Sequence, residues 1–140
     1  MCEVPLAKSA EVRLREAASL PEVLDEGFVA FEAIRTTARA CEAQVAGLFA
    51  AFMTIADAAV DGREALTTAP SLPRRSGNRP ENASSADADA EQAIDVLAQL
   101  AAVLRERLGE AASQADLAGD QAACRDAASA AGRICQLMTR

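Results

Sequence analysis

Asp57, Asp61 and Glu64 recur at i, i+4 and i+7, and Asp87, Glu91 and Asp95 stand at i, i+4 and i+8 further along the chain. On an α-helix each triplet shares one face. Clustered carboxylates are hard oxygen ligands, and the chemistry they serve is the binding of Mg²⁺ or Mn²⁺ beside a phosphate substrate. One reading of the chain is therefore a carboxylate-based, Mg²⁺- or Mn²⁺-dependent phosphate-processing enzyme with Asp57, Asp61, Glu91 and Asp95 as its metal ligands. The bland reading is a solvated acidic face. Carboxylates at a helix N-terminus suit the helix dipole, whereas those towards a C-terminus oppose it, so Asp57 and Asp61 call for a compensating cation.

Other chemistry is poorly supplied. The chain has no histidine, which removes the commonest general base and transition-metal ligand and excludes Glu-x-x-His di-iron and histidine-phosphotransfer chemistry. Its four cysteines, Cys2, Cys41, Cys124 and Cys135, have neither CxxC nor zinc-like spacing and read as reduced packing thiols. Arg105 and Arg107 follow an apolar run and could grip an anion, although pairing with Glu42 or water is the simpler expectation. Helical pyrophosphohydrolases hold Mg²⁺ on E-x-x-E and E-x-x-D pairs. Here the spacings are D-x-x-x-D-x-x-E and E-x-x-x-D, so that family is not assigned. No residue is assigned as catalytic, and no cofactor is expected.

The elements that must position these groups are helical. Hydrophobic residues make up 51% of the chain and aromatics 3%, so the apolar content is largely alanine with leucine and valine, a mixture that favours helix over sheet. A short first helix is predicted over about Leu6 to Ala18. Ser19-Leu20-Pro21-Glu22 has the form of a capping box and opens a long second helix near Leu20. Along it Phe31, Ile34, Ala38, Cys41, Val45, Leu48, Phe52, Ile55 and Ala59 alternate by three and four residues, a coiled-coil-like seam running to a stop at Asp61-Gly62, or one turn further through Leu66. Ala43 to Ala56 carries no charge on any face and needs burial by protein; it is too short to span a membrane. Residues 70–85 are rich in Pro, Ser, Asn and Gly and are expected to be a mobile linker whose trimming from Leu72 to Asn82 changes stability little; Arg74, Arg75 and Arg79 make it a basic island. A return helix carries a seam from Ile94 to Ala118, and a change of phase marks a kink or break at Gly119-Asp120.

The fold expected is all-α: a long antiparallel helical hairpin with a short N-terminal helix, forming a three- or four-helix bundle in one domain over residues 1–140. In that hairpin the second stripes, Phe49, Met53 and Val60 on one helix and Val96, Leu100 and Val103 on the other, share one uncovered side. A second copy of the chain, or the C-terminal segment folded back, would cover it. The leading functional expectation is a non-enzymatic interaction or assembly module, a homodimer formed through those six residues, with any further protein partner unspecified. A monomeric four-helix bundle binding a small apolar ligand is a further alternative. A net charge of −7 argues against nucleic-acid and anionic-membrane partners, and with no apolar leader after Lys8 a cytoplasmic address is expected.

Overall fold

A computed structural model describes residues 4–42, 49–73 and 90–138. Among these every regular element is a helix: α1 (Val4–Glu16), α2 (Leu20–Glu42), α3 (Phe49–Thr67), α4 (Ala90–Gln114) and α5 (Ala118–Met138). The protein is all-α, as its composition requires. Helices α2, α3, α5 and α4 stand in that order around a common core, and α1 lies against α2 and α4. Named contacts give the directions. Gly27 of α2 meets Leu66 of α3, and Glu32 of α2 pairs with Arg63, so these two helices are antiparallel. Gly119 of α5 meets Pro70 just beyond α3, while Arg133 pairs with Asp61, so α3 and α5 are antiparallel as well. α4 and α5 form a hairpin, which leaves α3 and α4 running the same way at diagonal corners.

The α1–α2 joint forms as its residues dictate. Glu22 N donates to Ser19 Oγ at 3.4 Å, and Ala18 N donates to Glu22 Oε1 at 2.7 Å, so side chains occupy donors that a helix start leaves without intrahelical acceptors. α1 then buries Ala10 and Leu14 of the expected Leu6, Ala10, Leu14 and Ala17 stripe, with Leu6 half-buried, and buries Ala7 beside them, which that stripe did not include. Arg13 reaches Glu26 at 3.2 Å and fixes α1 along α2.

The long second helix is not continuous. α2 and α3 are separate helices folded against each other, and residues 43–48 between them, with Val45 and Leu48 of the expected seam, lie outside the described residues. Folding back answers the burial problem of the uncharged stretch: Phe52, Ile55, Ala56 and Ala59 of α3 are all buried. A single unbroken rod would have left one of its two apolar stripes without cover. Gly62, expected as a stop, instead sits inside α3 against Phe31.

The break after α4 also differs from expectation. α4 ends at Gln114 and α5 begins at Ala118, so the turn precedes Gly119. The side chain of Gln121 donates to Ala115 O at 2.8 Å, satisfying a carbonyl at the joint. Gly119 has another reason to be small: a Cβ there would lie 2.9 Å from Pro70 Cδ. Asp120 follows in the first turn of α5, nearly fully buried, and accepts from Ser71 N at 3.0 Å and Ser71 Oγ at 2.6 Å. Leu72 packs half-buried on the core. The first residues of the expected linker are thus docked, and residues 74–85, with Arg74, Arg75 and Arg79, lie outside the described residues. Replacing Asp120 with Asn keeps an acceptor but removes the charge that both bonds and the helix dipole favour. Urea unfolding is expected to show a loss of about 1–2 kcal/mol, and an unchanged midpoint would show that the latch adds nothing.

Candidate functional site

The carboxylates proposed as metal ligands sit on α3 and α4, which occupy diagonal corners. Asp57 and Asp95 are exposed. Asp61 is exposed too and pairs with Arg133 of α5 at 3.2 Å, which supplies the cation that an acid in the C-terminal half of a helix calls for. Glu64 is exposed, the Glu91 side chain lies outside the described residues, and so does Asp87. Among the described residues no group of three or more carboxylates or cysteines is placed to hold a metal ion.

The six residues expected at an interface are divided by the bundle. Leu100 and Val103 are buried within it, because α5 folds back along α4. Met53 is 44% exposed, Val60 and Val96 are half-buried, and the side chain of Phe49 lies outside the described residues. α3 and α4 are diagonal, so their stripes do not form the one continuous side that a simple hairpin would present. Half-buried Leu137 and Met138 end α5 towards the same end of the bundle at which α3 and α4 begin.

The cysteines differ in state. Cys41 is fully buried and disulfide-bonded, which corrects the expectation of a reduced thiol there. Cys124 and Cys135 carry thiols outside any disulfide. Burial, with the nearby Asp120 carboxylate adding to it, pushes the Cys124 thiol up to about 11. Burial also raises Cys135, against a smaller lowering effect of Arg105. Neither is therefore an activated nucleophile at neutral pH. Cys2 lies outside the described residues.

A polar recess lies where α1 hands over to α2, beside the last turns of α4. It is a cleft of about 260 Å³ walled by residues 17–20 and 23 on one side and by Arg107, Glu110, Ala111 and Gln114 on the other. Arg107 Nη2 donates to Ala17 O, Nη1 donates to Glu110 Oε1 at 3.2 Å, and the buried Nε has no acceptor. Glu42, a partner considered for Arg107, lies 3.4 Å from Arg39 instead. Arg107 was visible in the sequence as an anion-gripping candidate. Its tie to Ala17 was not, because a backbone carbonyl carries no residue-type signal.

Compared with known protein families, curated proteins and solved structures, the chain gives no match. No described helix is long and apolar enough to cross a membrane.

Proposed function

We propose that the chain is a non-enzymatic helical interaction module, one helical domain, that self-associates through the end of the bundle where α3 and α4 begin. The observation that carries this reading is Met53, 44% exposed in the first turns of α3, with half-buried Val96, Leu137 and Met138 on elements that reach the same end. Exposed apolar side chains scattered singly mean little, whereas a gathering of them is the usual mark of a contact surface. The uncharged sequence leading into α3 extends that apolar character. Farther along α3 the outward residues turn acidic at Asp57, Asp61 and Glu64, which bounds the contact to one end.

Light scattering on a sizing column is expected to give about twice the chain mass of 14.5 kDa at micromolar concentration. Met53→Glu should return the chain to monomer without lowering its melting temperature, since the side chain already stands half in water. A wild-type monomer at that concentration, or a Met53→Glu variant that still associates, removes the proposal.

A further inference from the structure

We infer that the disulfide at Cys41 is made with Cys2, and that the bond is a redox-controlled clasp holding the start of α1 to the end of α2. The pairing follows from the cysteine inventory. The chain has four cysteines, of which Cys41 is in a disulfide while Cys124 and Cys135 carry thiols outside any disulfide. Cys41 is fully buried by its own chain, so a second copy cannot reach it to supply the other sulfur. Only Cys2 remains. That residue lies outside the described ones, but the course of α1 bounds what it can reach. Arg13 pairs with Glu26 at 3.2 Å across the Ser19–Glu22 joint, so α1 runs back along α2 and brings Val4 to the level of Arg35. Cys41 stands six residues beyond Arg35, or about 9 Å along the axis. Two residues of chain ahead of Val4 span up to about 7 Å, and a disulfide joins Cα atoms roughly 5.5–6 Å apart, so the gap can be closed.

α1 is an element that needs such a clasp. Its 13 residues are at the limit of what holds as a helix by itself. Among its described residues Leu14 is the one large side chain that is fully buried, the rest of the buried stripe being Ala7 and Ala10. The Arg13–Glu26 pair is partly exposed and adds little. With the clasp closed, α1 is fastened at its start by the disulfide and at its end by the joint to α2; with it open, α1 can lift from the face of α2 and α4 that it covers. Closing it oxidises both thiols. The two sulfurs give up two electrons and two protons, and a small disulfide oxidant of the glutathione kind takes them up to become two thiols. Cys124 does not scramble the bond, because the attacking species is a thiolate and burial pushes this thiol up to about 11.

Peptide mapping of the full-length chain, equilibrated with oxidised glutathione and digested with trypsin without reductant, reads the pairing. The peptide from Met1 to Lys8 is expected joined to the peptide from Ala40 to Arg63. Recovery of the first peptide unjoined, or joined to one that carries Cys124 or Cys135, overturns the inference. Melting and proteolysis then read the clasp. Dithiothreitol should lower the melting temperature of the oxidised wild type by roughly 10 °C, the contribution of closing a loop of this length in a chain of this size. It should also make trypsin cut first after Lys8, Arg13 and Arg15. Cys2→Ser should melt where the reduced wild type does and ignore dithiothreitol. A wild-type melting temperature that the reductant leaves unchanged, a Cys2→Ser variant that still responds to it, or reduced protein cleaved elsewhere before α1 overturns the clasp. The mapping and the reductant arm use the wild type, so a Cys2→Ser chain that failed to fold would leave both decisions standing.

Discussion

Gly62→Ala is expected to destabilise the protein by about 3 kcal/mol, although alanine is the better helix former by about 1 kcal/mol. The reason is geometric. A Cβ at Gly62 would overlap the Phe31 ring, with Cδ1 at 2.8 Å and two further ring carbons closer still. That ring is fully buried between α2 and α3 and has no free volume into which to turn. The helices would have to separate, and Gly62→Leu should leave no stable α2–α3 pair. Gly109 is the internal control: it lies within α4, exposed, and a Cβ there would meet nothing within 4 Å. Gly109→Ala should stabilise by up to about 1 kcal/mol. Thermal unfolding of the two variants side by side gives shifts of opposite sign, and a Gly62→Ala protein as stable as the wild type would mean that α2 and α3 do not pack in this register.

What could be read from the sequence, and what could not, divides along a physical line. Local signals held. The stripe of Ala10 and Leu14, the Ser19–Glu22 box and the seam from Leu97 to Leu108 all appear as their spacing requires. These depend on side chains a few residues apart, where helical periodicity dictates the neighbours. The separation of α2 from α3 was hidden because the apolar spacing runs on in phase from Cys41 through Val45 and Leu48 to Phe52, so nothing in the pattern announced a turn. Gly47 was the one local hint. Gly119 shows the converse, a glycine read as a breaker whose actual task is to admit Pro70. The Arg107 cleft was half-legible: its cation stood out, while its other wall comes from residues far away in sequence, Ala17 to Val23.

The topology reverses the expectation for the connection between α3 and α4, and it gives the largest effect of all. In a simple hairpin that connection is a tip, and removing Leu72 to Asn82 would cost about 1 kcal/mol or less. Here the start of the connection is fastened at one end of the bundle, since Ser71 is bonded to Asp120 beside the α4–α5 turn. The chain re-enters at Ala90, the far end of α4. That helix has 25 residues and is therefore roughly 36 Å long at about 1.5 Å per residue. After the deletion only residues 83–89 would join Ser71 to Ala90, a reach of at most about 28 Å when fully extended. The shortened chain cannot close this fold on itself. It should lose cooperative unfolding or trade α4 and α5 with a second copy, whereas replacing residues 74–82 by the same number of Gly and Ser residues should stay within about 1 kcal/mol of wild type. Circular dichroism melts and light scattering read both variants. A deletion variant that melts cooperatively with wild-type mass and stability would restore the continuous hairpin and rule out the diagonal placement of α3 and α4.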